Sequence, residues 1–196
     1  MTTITFSSLA VFASLACGVA EAHGGFTWFN NDAAGWQSAA SAYTTCSFTE
    51  FPHNTYITDQ YASLGVLFTN PGPNVVHAGD FQGFPLDGFG IDGNGGIELT
   101  FSEPAFAVSA HGPDLWMLKA YLGQSLVYAS PWHLPTAGGF AGFVSTTPFD
   151  RVQFVGINGG SIDDIYVDNI YFSTVPSPPA IAALTIGALA RGRRRR

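Results

Sequence analysis

The sequence predicts an all-β protein, a two-sheet antiparallel β-sandwich of jelly-roll type, from three observations. Short segments rich in Val, Ile, Phe and Tyr are separated by Gly, Pro, Asn and Asp. Residues 97–101, Ile-Glu-Leu-Thr-Phe, alternate apolar and polar side chains, which is the pattern of a strand with one buried face. No segment shows a convincing helical period, and short strands separated by turn residues are typical of sandwiches.

The predicted strands occupy the middle of the chain. In chain order they are Ser47–Phe51, Tyr61–Thr69, Gly96–Ser102, Ala105–His111, Leu115–Leu122, Ser125–Ser130, Phe140–Ser145, Arg151–Ile157 and Ile162–Ser173. Val76–Gly90 is rich in Gly and Phe and is predicted to be a long loop, whereas Gly24–Ala42 has no clear pattern.

The N-terminus carries the features of a secretory signal peptide. Phe6–Ala20 is apolar and uncharged, and the small residues Ala20 and Ala22 follow where a signal peptidase requires them. The apolar run is shorter than the roughly 20 residues needed to span a bilayer. We therefore predict that residues 1–22 are a signal peptide and that the protein is exported; cleavage after Ala20 and cleavage after Ala22 both fit.

The C-terminus has three parts: a proline-rich segment, an apolar run at Ala180–Ala190, and a basic end beginning at Arg191. The prolines mark a boundary, so residues 23–174 are the predicted folded domain and residues 175–196 a separate segment. The apolar run predicts a short helix that anchors the protein in the membrane, with the arginines on the cytoplasmic side.

This ending resembles the PEP-CTERM sorting signal of bacterial surface proteins, with Ser177 where that family has an acidic residue. The resemblance implies recognition by an exosortase in the inner membrane of bacteria that make extracellular polysaccharide. The residues that carry it are Pro176, Ser177, Pro178, Arg193, Arg194, Arg195 and Arg196.

The charge distribution excludes nucleic acid as a partner. Between residues 23 and 175 the only cations are Lys119 and Arg151, against thirteen acidic residues, which gives a net charge of −11. This charge repels phosphate backbones but is compatible with divalent cations and with solubility outside the cell. After processing Cys46 is the single cysteine, so no internal disulfide forms.

The sequence contains none of the common catalytic motifs, such as G-x-S-x-G, H-E-x-x-H or C-x-x-C, and it predicts a protein that is not an enzyme. Gly88–Gly93 matches G-x-G-x-x-G but leads into a strand, so these glycines are interpreted as turn residues.

One enzymatic alternative is a copper-dependent polysaccharide oxidase. Cleavage after Ala22 would place His23 at the N-terminus, where His111 or His133 could supply the second imidazole.

A calcium site is predicted at Glu50 and Asp168, because carboxylates on the first and last strands of a sandwich lie close together and calcium prefers oxygen ligands. Phe48–Phe51, Thr55–Phe68 and Asp163–Ile170 are similar to secreted PEP-CTERM sandwich domains related in shape to carbohydrate-binding modules. That similarity implies a jelly roll with structural calcium. Asp92–Gly96 fits both a calcium loop and a hairpin turn.

Sugar-binding sites in such folds use exposed aromatic faces beside polar groups, and Trp36, Trp132 and His133 are the predicted candidates because they lie in predicted loops. The alternative for each tryptophan is packing over a sheet edge.

The leading prediction is an exported cell-surface or matrix protein, a non-enzymatic carbohydrate-binding-like module for extracellular polysaccharide. The alternative is a purely structural or adhesive surface protein.

Overall fold

The structure, a computed structural model, describes residues 21–23, 25–72, 74–80, 88–113, 115–133, 139–158, 161–162 and 164–177. The strands are β1 (Glu21–His23), β2 (Phe26–Asn30), β3 (Thr44–Cys46), β4 (Thr55–Tyr56), β5 (Val66–Thr69), β6 (Val76–Asp80), β7 (Phe89–Asn94), β8 (Ile97–His111), β9 (Trp116–Leu122), β10 (Ser125–Ala129), β11 (Phe140–Asn158), β12 (Ser161–Ile162) and β13 (Asp164–Ser173). Helix α1 spans Ala33–Ala40, and a 3-10 helix spans Ala62–Leu64.

The strands form an antiparallel β-sandwich, as predicted, whose two layers share the long strands β8 and β11. In the first layer the strand order is β1, β2, β11, β8, β13, β7, β6, β4, with β3 also paired to β13. The second layer is formed by residues 97–101 of β8 and 151–156 of β11, together with β5, β9 and β10. The two long strands therefore connect the layers covalently.

The core lies between the layers and is rich in aromatic side chains. Phe143 from the first layer and Phe154 from the second are fully buried, and Phe143 packs edge-on against Phe149 with ring centroids 5.1 Å apart. Burial of one such side chain stabilises the fold by roughly 1.5–3 kcal/mol. Because no disulfide is present among the described residues, this burial is the main contribution that holds the layers together.

β8 and β11 are each one continuous strand where the sequence predicted two separate strands. The gap between predicted strands Gly96–Ser102 and Ala105–His111 contains Pro104, and the gap between Phe140–Ser145 and Arg151–Ile157 contains Pro148; neither proline can donate to a strand ladder. The strands continue as β8 and β11, and the register between them shifts between Val144 and Phe149, so Pro148 falls within the interruption. The prolines are tolerated because they lie where the chain passes from one layer to the other.

Three other predictions are wrong in whole or in part. Tyr61–Thr69 is a strand only from Val66, because Ala62–Leu64 forms a 3-10 helix. Val76–Gly90 is not one long loop, because Val76–Asp80 forms β6 and β7 starts at Phe89. Ser47–Phe51 is not a strand. Phe48 has a φ of 64° and its N–H donates to the Tyr61 hydroxyl at 2.9 Å instead of to a neighbouring strand.

Helix α1 was not predicted, since its segment lacks a helical pattern of apolar residues. It begins after Asp32, whose carboxylate accepts a hydrogen bond from the Gly35 N–H at 2.9 Å, the usual N-cap interaction. It ends at Ser41, which has a φ of 62°. The helix packs on the outer surface of β2, β11 and β8 through Trp36 and Ala40.

Most of the two predicted terminal segments lies outside the described residues. Residues 1–20 and 178–196, which include Pro178 and the terminal arginines Arg193–Arg196, are among these. Residues 21–23 form β1, with Glu21 opposite Trp28. Within the described residues, no helix has the length and apolar character required to cross a bilayer.

Candidate functional site

Four side chains form a row across the outer face of the first layer. Strand register places Tyr56 of β4 opposite His77 of β6, His77 opposite Asp92 of β7, and Asp92 opposite Tyr166 of β13. Adjacent strands are about 4.8 Å apart, so the row from Tyr56 to Tyr166 is about 14 Å long. We call these four residues the aromatic row.

The opposite faces of the same strands explain why the row faces outward. Each row residue in β6, β7 and β13 has a sequence neighbour that is fully buried in the core. These neighbours are Ala78 after His77, Ile91 before Asp92, and Val167 after Tyr166. Since successive side chains in a strand point to opposite faces, burial of these neighbours directs the aromatic row to the outer surface.

Tyr56 is the most accessible residue of the row, with 60% of its surface exposed. Its ring lies 4.9 Å from the His77 imidazole, at an angle of 42°. Gln60 fixes the backbone beside it, because the Gln60 amide donates to the Tyr56 carbonyl and accepts from the Thr58 N–H, both at 2.6 Å. An exposed ring on a fixed backbone offers a flat apolar surface that needs little ordering when a ligand binds.

Asp92 is the electrostatic centre of the row. Its Oδ1 atom lies 3.3 Å from His77 Nδ1, an ion-pair distance without hydrogen-bond geometry. Partial burial raises the pKa of Asp92 above its usual value, His77 opposes this shift, and the nearby Asp164 carboxylate adds to it. The Asp92 Oδ1 atom thus has no hydrogen-bond donor among the described residues.

Polar groups border the row on one side. Asp164 lies opposite Asn94 at the next outward position of β13 and β7, and its Oδ1 atom is buried without a hydrogen-bond donor in the described part of the chain. Asn74 donates to the Asn94 side-chain oxygen at 3.0 Å, and Asn70 donates to the Asn94 carbonyl at 2.9 Å. Gly95 has a φ of 90° and the Gly96 N–H donates to the Gly93 carbonyl at 3.1 Å, so Asp92–Gly96 contains the turn that connects β7 to β8, two strands that do not pair with each other.

Helix α1 covers a different part of the same outer face. Trp36 is fully buried, donates from its indole nitrogen to the Phe143 carbonyl at 3.1 Å, and packs against Phe140 and Tyr171. The loop position predicted for Trp36 is therefore wrong, and its ring has no exposed face for a ligand. The helix leaves β4, β6 and β7 uncovered.

The other two predicted sugar-binding residues lie apart from the aromatic row. Trp132 is 37% exposed, in the segment after β10. His133 is fully buried, pairs with Trp116 as an isolated bridge, and places Nδ1 2.6 Å from the Asn30 side-chain oxygen. Burial, with a smaller effect from His111, lowers the pKa of His133 to about 4, so the neutral ring donates from Nδ1 to Asn30.

The predicted calcium ligands each have protein partners. Glu50 accepts hydrogen bonds from the Tyr61 hydroxyl at 2.6 Å and from the Ser47 hydroxyl at 3.2 Å. Asp168 is fully buried opposite His111 and accepts from the Asn169 amide at 2.8 Å. No group of three or more His, Cys, Asp or Glu side chains among the described residues is arranged to hold a metal. Calcium binding by Glu50 and Asp168 stays a prediction.

Sequence reasoning missed the aromatic row because its members lie on four separate strands. Val76-His77-Ala78 and Ile165-Tyr166-Val167 do show the alternation of a half-buried strand. The alternation reveals that His77 and Tyr166 face outward, but the alignment of four strands depends on tertiary register. The glycines around β6 obscured the signal further and led to the predicted loop.

The contribution to stability of the hydrogen bonds between Tyr61, Glu50 and the Phe48 N–H can be tested by mutation. Replacing Tyr61 by Phe removes the hydroxyl that donates to Glu50 and accepts from the Phe48 N–H, leaving a buried donor without a partner. We expect Tyr61→Phe to lower the free energy of unfolding by about 1–3 kcal/mol, measured by urea denaturation. The matched change Tyr56→Phe, at an exposed position, should alter it by no more than about 0.5 kcal/mol. Equal losses of stability in Tyr61→Phe and Tyr56→Phe would contradict a stabilising contribution from these hydrogen bonds.

His133 predicts sensitivity to acid. An unfolded histidine titrates near pH 6.5, whereas His133 in the folded protein has a pKa of about 4. Between these values the unfolded state binds the extra proton, so stability falls as the pH is lowered from 7 to 4, by about 3 kcal/mol. Urea denaturation at both pH values should show that His133→Gln removes most of this fall. The control Val152→Ala should be less stable at both pH values and keep the fall; a fall that persists in His133→Gln would refute the assignment.

Comparisons with known proteins leave the family of the chain open. No family model matches the chain, and no curated protein matches it. Among solved structures, two variants of CBM29-2, studied for ligand recognition by family 29 carbohydrate binding modules, are similar at 12% and 13% identity. Each alignment covers 69% of this chain and 94% of the other, with a TM-score of 0.35. A structure described as carbohydrate binding module family 29 has a TM-score of 0.34 at 12% identity, covering 69% of this chain and 91% of the other. Similarity at this level does not assign the chain to a family.

Proposed function

We propose that the protein is an exported, non-catalytic module that binds an extracellular polysaccharide along the aromatic row. The observation that carries the proposal is the alignment of Tyr56, His77, Asp92 and Tyr166 across four strands of an outer face. A linear row about 14 Å long, at the usual strand spacing, suits a chain of linked sugars better than a single compact ligand.

The chemistry of the row matches that of a sugar chain. A pyranose ring has an apolar C–H face and a rim of hydroxyls. The Tyr56 ring can stack on the former, while the Asp92 carboxylate and the His77 imidazole can bind the latter. The Asp92 Oδ1 atom is itself buried, so a sugar hydroxyl would reach this partly exposed carboxylate at Oδ2, and a hydrogen bond there would offset part of the cost of burial.

The proposed location, outside the cytoplasm at the cell envelope, is inferred from the sequences of the two terminal segments. The apolar N-terminal stretch supports export, and the resemblance of residues 175–196 to a PEP-CTERM signal supports sorting by an exosortase at the inner membrane. A polysaccharide-binding module held at the cell envelope would then contact the extracellular polysaccharide of the same cell. A purely structural or adhesive surface protein is the competing proposal.

The role of the aromatic row is tested by Tyr56→Ala. We expect the purified mature protein to be retained in affinity gel electrophoresis by at least one polysaccharide from a panel of hydroxyethyl cellulose, galactomannan, xylan and mixed-linkage β-glucan. Loss of the stacking ring should weaken retention about five- to tenfold. Stability should change little, because Tyr56 is 60% exposed.

Trp132→Ala is the matched control, because Trp132 is also an exposed aromatic residue but lies outside the row. It should leave retention within about twofold of the unaltered protein. Retention lost in Trp132→Ala and kept in Tyr56→Ala would place the site at Trp132 instead. Retention by none of the polysaccharides would favour the structural or adhesive alternative. Shortening of the polysaccharide during incubation would contradict a non-catalytic role.

The pairing of β1 with β2 favours one of the two proposed cleavage positions. Cleavage after Ala20 leaves the pairing of Glu21–His23 with β2 intact, whereas cleavage after Ala22 removes Glu21 and its pairing with Trp28. We therefore expect N-terminal sequencing of the secreted protein to begin at Glu21. A start at His23 would contradict this and would reopen the copper-dependent alternative, which needs an N-terminal histidine.

A further inference from the structure

The aromatic row lies in a strongly acidic environment. Asp92 and Asp164 face outward at neighbouring positions of β7 and β13, close enough for the Asp164 charge to affect Asp92. The nearest basic group is the imidazole of His77, which contacts Asp92. No lysine or arginine lies on this face among the described residues.

Both cations of the folded domain are in the other layer. Lys119 on β9 and Arg151 on β11 belong to the second layer of the sandwich. Arg151 donates to Glu98 at 2.7 Å, and its guanidinium lies 4.1 Å from the Tyr121 ring centroid, so its charge is already paired. The domain therefore offers no free guanidinium or ammonium group to a ligand carboxylate at the aromatic row.

We infer that the aromatic row selects polysaccharides that lack anionic groups, and that Asp92 is the residue that sets this selection. The inference rests on the proposed function, because it concerns the ligand class of the same site. The row would bind uronate-, sulfate- and phosphate-bearing polymers more weakly than neutral and amine-bearing ones.

The physical basis is repulsion between like charges. A uronate carboxylate bound along the row would lie within several ångströms of Asp92, with Asp164 beside it. At a distance of a few ångströms in a mostly aqueous environment, this repulsion is expected to weaken binding about fivefold. Added salt screens such a repulsion, so binding of an anionic polymer should become stronger, not weaker, as ionic strength rises.

The experiment compares polymers with one backbone and two charge states. Affinity electrophoresis at low salt would use hydroxyethyl cellulose with carboxymethyl cellulose, and galactomannan with carboxymethyl galactomannan. The readout is the ratio of the two dissociation constants within a pair. This ratio is insensitive to a general loss of binding caused by a change in structure.

For the unaltered protein we expect the neutral polymer to bind about fivefold more tightly than its carboxymethyl partner, and the ratio to shrink in 0.5 M salt, which is about the range of strong screening. In Asp92→Asn the ratio should fall to about twofold at low salt, because one of two carboxylates remains. The control Glu103→Gln makes the same change in net charge at an exposed position in β8, away from the row, and should keep the full ratio.

An unchanged ratio in Asp92→Asn would overturn the assignment to Asp92. Tighter binding of the carboxymethyl polymer by the unaltered protein would overturn the selection itself. These outcomes are distinct from failure of the proposed function, in which no polymer of either charge is retained; that result would overturn the inference together with the site.

Discussion

The register of β13 is the constraint on which the rest of the structure depends. Residues 164–167 of this strand pair with β7, and its second half pairs with β8 and β3. A slip of one residue would exchange Tyr166 with Val167 and bring a polar face into the core. The register is fixed because Ile165 and Val167 are fully buried, so formation of the core and formation of the aromatic row are the same event.

The register also changes at one point, which divides the outer face into two regions. Asn169, with a φ of 47°, lies between Asp168 and Tyr171, where the pairing of β13 with β8 is irregular. Beyond this bulge Tyr171 lies under α1 against Trp36, whereas Tyr166 before it belongs to the uncovered half. A bulge that redirects side chains thus separates a surface packed under α1 from the surface that carries the aromatic row.

The sequence predicted the sandwich well because its strongest signals are local. The alternation at residues 97–101 and the Asn94-Gly95 turn each depend on neighbouring residues alone. Trp36 was misplaced because its helix is stabilised by tertiary packing, with Asp32 as a cap, and not by an apolar periodicity. The candidate site could not be predicted, since Tyr56 and Tyr166 are brought into one row only by the pairing of strands that lie far apart in the chain.

His133 and Asp92 both have pKa values shifted by burial, but their surroundings differ. His133 is neutral, fully buried and bonded to Asn30, so its altered pKa is a consequence of core packing at one end of the sandwich. Asp92 is partly buried on an open face, where a neighbouring carboxylate makes its burial more costly still. A neutral side chain such as Asn or Thr would avoid both costs but would lose the electrostatic attraction to His77, whose Nδ1 lies 3.3 Å from Asp92 Oδ1. Under the proposed function, a sugar hydroxyl that donates to the Asp92 carboxylate would offset part of these costs, whereas a carboxylate on the ligand would add a third negative charge beside Asp92 and Asp164.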